Sequence, residues 1–392
     1  MPGGLPDARF RSVQARKGSP MRNVLYVDLR AQWHEEREHL LPLLEAVFER
    51  GDFIGGVAVE ALEERLAERC ERKYAVALNS GTDALILAMK ALGIGPGDEV
   101  ITPPNSFVAS TAAIVALGAT PVFADVLEDQ CIDPAAVEAA ITPRTAAIMP
   151  VHLTGRIADM DALQAIAVRH GLAVIEDAAQ SIGSLWRGRP AGSLGTIGCF
   201  SAHPLKNLNA AGDAGYLVTD DKAIADRVRI LRTHGLRDRN TVMEWGVVSR
   251  LDTLQAAILG FRMTHLDRVI ARRRANAELY REALVDAPVF IAPCKAHEFN
   301  SFHLFVIQTD YRDKLQSFLA QRGIQTGIHY PIPIHLQPAA KSLGYRRGSM
   351  PNCERQADRI LSLPIHQFLE PEDVAAVADG IVTFHHEARA LA

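Results

Sequence analysis

From Tyr74 onward the chain alternates short apolar runs with helical patterns. Tyr74 to Leu78, Glu99 to Thr102, Pro121 to Ala124, Ala146 to Val151 and Ala173 to Glu176 are short, continuous and apolar, and they read as buried strands. Helical segments such as Ala84 to Leu92 lie between them. Such alternation calls for a mostly parallel sheet with right-handed crossovers and helices on both faces.

The pattern changes after Leu251. The segment from Leu251 to Leu284 reads as one long helix, which Asp286-Ala-Pro288 breaks. Beyond it, Phe302 to Thr309 reads as a strand and Arg312 to Arg322 as a helix closed by Gly323. Pro371 to His386 reads as a terminal helix with proline in its first turn. The expected architecture is α/β, with a large domain over residues 23–265 and a smaller C-terminal α+β domain over 266–392. Residues 1–22 are expected to be a disordered extension. Residues 1–20 are polar and rich in Pro, Gly and Arg, with a second methionine at Met21. They lack the apolar core of a signal peptide, so an unstructured tail or a misplaced start codon is read there in preference to secretion.

Composition narrows the function classes. At 392 residues, 48% hydrophobic and 22% charged, the chain is an ordinary soluble type large enough for two domains. The net charge of −4 gives no footprint for nucleic acid, and the run Arg272-Arg-Arg274 reads as a solvated helix face. No apolar run approaches the roughly 18 residues that span a bilayer, so no membrane partner is expected. Five scattered cysteines without metal spacing argue for a reducing compartment, the cytoplasm, and against disulfides or zinc.

The candidate chemistry centres on Ser201-Ala-His-Pro-Leu-Lys206, followed by Ala210, Ala211, Gly212 and Gly215. The sequence keeps bulky side chains away from this lysine. Held against apolar surroundings, its ammonium form is disfavoured, and the free amine is the species that condenses with a carbonyl. A solvated lysine in a glycine-rich turn is the alternative. Asp177 stands at the carboxyl end of the strand Ala173 to Glu176, where open α/β sheets place their ligands. A carboxylate there suits the protonated ring nitrogen of pyridoxal phosphate, and an N-cap before Ala178 is the other reading. Asn79-Ser80-Gly81-Thr82 reads as a tight turn into a helix whose exposed amides suit a phosphate, with Ser201 able to complete the cup. An ordinary capped helix remains the alternative.

Several stretches together resemble the DegT/StrS-type sugar aminotransferases, which are fold-type I pyridoxal phosphate enzymes. They are Asn79-Ser-Gly-Thr-Asp-Ala-Leu85, Gly95-Pro-Gly-Asp-Glu-Val-Ile101, Pro150-Val-His-Leu153, Glu176-Asp-Ala-Ala-Gln180 and Ser201 to Gly215, with tail signals at His329 to His335 and Leu361 to His366. The resemblance implies that Lys206 carries pyridoxal 5′-phosphate as an imine and that Asp177 holds its ring nitrogen. It further implies Gln180 beside the phenolic oxygen, Gly81, Thr82 and Ser201 on the phosphate, and Phe107 over the ring. Core packing is the alternative for Phe107. His152 and His203 fall beside these loops and are set aside as packed or hydrogen-bonded residues. Arg250 suits a substrate carboxylate, with a helix-start arginine making structural salt bridges as the alternative, and His329, with Tyr330 and His335, lies on a proline-rich loop that could border the substrate cleft.

Val248 is the departure. The family carries an asparagine there that reaches the neighbouring subunit's cofactor phosphate, and Arg239 or Asn240 are candidate substitutes. The resemblance implies a homodimer with shared sites, with Thr233 to Ser249 as the crossing element. The expected reaction passes an amino group from an amino acid, L-glutamate, to a keto sugar. A cofactor-dependent sugar dehydratase is the nearest alternative, but such relatives carry histidine at the position of Lys206. A non-catalytic regulator that keeps the cofactor would want an added partner domain. A nicotinamide dehydrogenase is disfavoured because the glycine spacing at Gly93 to Gly97 is wrong.

Overall fold

The computed structural model describes residues 22–390. The extension expected over residues 1–22 therefore lies outside the described residues, apart from Arg22, whose guanidinium pairs with Asp373 at 2.6 Å.

Seven strands form the central sheet: β1 (Tyr74–Leu78), β2 (Glu99–Thr102), β3 (Thr120–Phe123), β4 (Thr145–Ile148), β5 (Ala173–Asp177), β6 (Ile197–Ser201) and β7 (Gly215–Thr219). Their spatial order is β1-β7-β6-β5-β4-β2-β3. All neighbours run parallel except β7, which is antiparallel to β1 and β6. The expected mostly parallel α/β sheet is thus present. The strands read as unbroken apolar runs because both faces are covered.

Five helices matter for the site. Helix α1 (Leu29–Arg50) enters from the N-terminus, α2 (Gly81–Ala91) follows β1, and α3 (Val108–Ala116) follows β2. The expected long helix is in fact two, α4 (Thr253–Met263) and a helix over Leu266–Ala283, here α5. The break has a local cause. The Thr264 and His265 amides turn back to carbonyls three residues earlier, and the Thr264 hydroxyl also donates to Phe261 O at 2.6 Å, tightening the last turn of α4 until it stops.

A separate apolar cluster joins α5 to the C-terminal region through Tyr280, Phe305, Leu315, Leu361 and Ile381. Val24, before α1, also belongs to it, bridging to Ile324 like an added strand. The strand expected over Phe302 to Thr309 is confined to Phe305–Gln308, because Phe302 adopts a left-handed backbone, φ 46°, and turns the chain before pairing begins. Helix Arg312–Gln321 ends where Gly323 takes φ 76°, and the terminal helix is Pro371–Ala390. No helix among the described residues is long and apolar enough to cross a membrane.

Candidate active site

A cavity of about 340 Å3 opens at the carboxyl ends of the parallel strands. Lys206, Asp177, Gln180, Ser201, Phe107 and His329 all line it, as do Gly81 and Thr82. Residues far apart in sequence meet because β5 and β6 are adjacent and parallel, which carries Asp177 and Ser201 to the same sheet edge.

The amide-rich end is built by β1, α2 and β7. Ser80 caps α2, its hydroxyl oxygen accepting the Asp83 N–H at 3.1 Å, and leaves the first amides of the helix facing the cavity edge. Gly81 packs directly on β6: a Cβ there would lie 2.7 Å from Ser201 Cβ and 3.0 Å from Ser201 Cα. Only glycine brings this turn so close to the serine.

At the opposite end Asp177 is 5% exposed. Its backbone is fixed on both sides, its N–H donating to Pro150 O and its carbonyl accepting from His152 N. Oδ2 accepts the Ser110 hydroxyl at 2.7 Å and Oδ1 the Ala179 N–H at 3.2 Å. No helix follows Asp177, so the N-cap reading fails. Burial raises its pKa, while Ser110, Ala179 and Lys206 favour the carboxylate.

Lys206 sits in the loop after β6, its N–H bonded to His203 O. Among the described residues no hydrogen bond or ion pair engages its Nζ. Burial pulls its pKa down to about 8, against the opposing pull of Asp177. About a tenth of the amine is therefore free at pH 7 and about half at pH 8. Gln180 commits Oε1 to the Thr154 N–H at 2.8 Å, so its NH2 remains as the donor toward the cavity. Phe107 is 55% exposed and is not core packing; its ring lies 5.8 Å from that of Tyr330.

Histidines divide sharply. His152 is fully buried, with Nε2 2.9 Å from Glu176 Oε2 and Nδ1 accepting the Ala158 N–H, so its role is hydrogen-bonded packing. Glu176 also accepts the amides of Gly192, Leu194 and Gly195, which pins the loop before β6. His203 lines the cavity. His329 stacks on Tyr26 and bonds Ser362 through Nδ1; burial, then Lys206, pulls its pKa down to about 4, so it stays neutral. His335 is buried against Glu354 and leaves the cavity to Tyr330.

Arg250 does not reach this cavity, and its Nε is buried without a partner. Arg239 and Asn240 lie at the exposed turn of a hairpin, also outside it. Val248 is half-exposed, and its carbonyl takes the Asn79 side-chain amide at 3.4 Å. Two further residues line the cavity without any mark in the local sequence. Ser110 stands in the first turn of α3, three positions after the N-cap Phe107. His303 lines the cavity with Nδ1 buried and unpartnered, and burial together with nearby Lys206, Arg273 and His329 holds it neutral.

The model of the DegT/DnrJ/EryC1/StrS aminotransferase family matches residues 34–382. The chain belongs to that family. It is 44% identical over 360 residues to dTDP-3-amino-3,4,6-trideoxy-alpha-D-glucose transaminase of Streptomyces venezuelae, covering 91% of this chain and 95% of that protein. It is 42% identical to a pleiotropic regulatory protein of Geobacillus stearothermophilus, over 93% and 99% of the two chains. Among solved structures, S. venezuelae DesV in complex with a ketimine intermediate superposes with a TM-score of 0.91 at 43% identity, over 92% of this chain and 98% of that one.

Proposed function

We propose that this sugar aminotransferase moves the amino group of an amino acid, L-glutamate, onto a keto sugar, with Lys206 and Asp177 as its chemical centre. The observation that carries the reading is an unengaged lysine amine, pKa about 8, in one cavity with a buried carboxylate. The residues fit pyridoxal 5′-phosphate: an orphan amine, an acid at one end and a helix N-terminus at the other. When bound, the cofactor supplies a carbonyl that carries nitrogen and a ring that withdraws electrons.

The protein's part is to place and move charge. Asp177 holds a proton at the ring nitrogen, and the amides opening α2, with Thr82 and Ser201, hold the phosphate. Phe107 covers the ring face, and the Gln180 NH2 donates beside the phenolic oxygen. Lys206 Nζ would take the proton from the α carbon of the amino-acid donor and, in the second half of the cycle, give one to the acceptor carbon that receives the nitrogen, as a base with a pKa near operating pH does well. His329 and Tyr330 border the acceptor's side of the cavity.

Two copies of the chain sharing their sites complete the proposal. The segment after the hairpin exposes Trp245 at 85%, with Met243, Val247 and Val248 beside it, an apolar surface that a second copy would cover. The free cysteines Cys70, Cys131, Cys199, Cys294 and Cys353 support a cytoplasmic setting.

Purified protein loaded with cofactor should release one 2-oxoglutarate per site from L-glutamate, and should turn over repeatedly once a keto sugar is added. A regulatory reading, favoured by the name of the Geobacillus relative, predicts cofactor binding with neither product. Absence of both products across a panel of free, phosphorylated and nucleotide-linked keto sugars would overturn the enzymatic proposal.

A further inference from the structure

A second cavity, of about 230 Å3, lies between the start of α1, the junction of α4 and α5, the loop carrying Lys206 and the segment His366 to Phe368. It shares only Leu205 and Lys206 with the cavity described above. Its other basic side chains are Arg262, His265, Arg268, Arg272, Arg273 and His366, whose pKa burial lowers to about 4, and its carboxylates are Asp28, Glu35 and Glu36.

Every one of those carboxylates is already committed. Glu36 accepts both Nε and Nη2 of Arg262 and also Gln32, Glu35 pairs with Arg268, and Asp28 caps α1 through the Ala31 N–H. Two guanidiniums are left over. Arg272 reaches the carbonyls of Gln367 and Leu369, and its nearest carboxylate, the exposed Glu370, stands 3.8 Å away.

Arg273 is the more telling. It is 5% exposed, and its Nη1 donates only to the carbonyls of Phe302 and His303, each at 3.2 Å. Its Nε is buried without a partner, and among the described residues it forms no ion pair. Burial lowers its pKa to about 10, which leaves it a cation at neutral pH. An uncompensated buried charge is among the costliest features a fold can carry, and a counter-anion in the adjoining cavity removes that cost.

We propose that this second cavity binds a small oxyanion, a carboxylate or a phosphate, held by Arg272 and Arg273. The planar fork of a guanidinium matches both groups. The bound anion sits beside the loop of Lys206 and favours the ammonium form of that amine, so its occupancy reaches the site from behind.

The test is calorimetric titration of the cofactor-loaded protein, in which the first cavity's phosphate cup is already filled. Inorganic phosphate and glutarate are titrated separately, which distinguishes a free inorganic anion from a dicarboxylate. The expected result is one site per chain for at least one of them, weakened tenfold or more in both Arg272→Ala and Arg273→Gln. If Arg273→Gln fails to fold, Arg272→Ala decides alone. No heat from either anion up to 10 mM, or binding that persists unchanged in the variants, overturns the proposal. No turnover is measured, so this failure is distinct from failure of the aminotransferase reading.

Discussion

The Ser110 hydroxyl donates to Oδ2 of Asp177 at 2.7 Å, from the first turn of the helix that Phe107 opens. One short segment therefore supplies both a cover for the cavity and the hydrogen bond that favours ionised Asp177. A hydrogen bond to a charged group contributes about 1.5–3 kcal/mol. Ser110→Ala should raise the Asp177 pKa further and cut cofactor affinity and turnover by about 10- to 100-fold. Ser110→Thr keeps the hydroxyl and should restore most of both. Equilibrium dialysis of cofactor against each variant checks this, and unchanged affinity in Ser110→Ala would remove the role assigned to the contact.

Lys206 gives a pH signature to the cofactor-free protein. Its pKa is 10.5 in the ordinary state and about 8 in the fold. Between these values the unfolded chain holds the proton that the folded chain has released, so stability from this group rises with pH. Below about 8 the full cost applies, at most about 3 kcal/mol for a shift of this size. Lys206→Met should therefore be more stable than the parent at pH 7, with the advantage fading toward pH 10.5, as read by urea unfolding of both proteins. The same substitution should abolish turnover. Asp177→Asn removes the charge that holds the ammonium form, so the Lys206 pKa should fall below about 8, measured by pH-dependent acylation of that one lysine.

What the sequence made legible follows from how local each signal is. Strand β5 and its terminal Asp177, the capped turn at Gly81 and the lysine loop are each written in fewer than about fifteen consecutive residues. Parallel pairing of β5 with β6, and the antiparallel β7 between β6 and β1, then bring them together. Ser110 carries no local mark, since its importance arises only when α3 packs over the end of β5. His303 falls within the strand expected from Phe302 to Thr309, because Phe302 looks like a strand residue and nothing in its side chain announces φ 46°. The break at Thr264 is hidden for the opposite reason: the apolar pattern runs through it, and the helix ends only because the Thr264 amide and hydroxyl turn back to Phe261 O. Arg250 matches a family position and its guanidinium suits a carboxylate, yet the chain places it away from the cavity.

Gly81 tests the amide-rich end. Alanine there would press on Ser201 Cβ and Cα and lie 3.3 Å from Phe200 O, all on β6, so the strand must shift rather than a flexible side chain. Overpacking of this kind costs about 1–3 kcal/mol. Gly81→Ala should lower thermal stability by that order and weaken cofactor binding tenfold or more, because the amides and Ser201 lose their register. A variant with lowered melting temperature but parental cofactor affinity would separate packing from binding and withdraw the phosphate role.

Trp245 tests the shared site. At 85% exposure it stands out of a segment tied back to the fold, since Lys90 Nζ donates to its carbonyl at 2.6 Å and Arg227 holds neighbouring Glu244. The backbone is thus anchored while the indole projects, an arrangement that costs solvation in a monomer and gains it back on burial. Trp245→Glu places a charge at the centre of that patch and leaves the anchors intact. Sedimentation should show the parent as a dimer and the variant as a monomer at micromolar concentration, with cofactor affinity falling in step. A monomeric variant with full cofactor affinity and activity would show that each chain completes its own site.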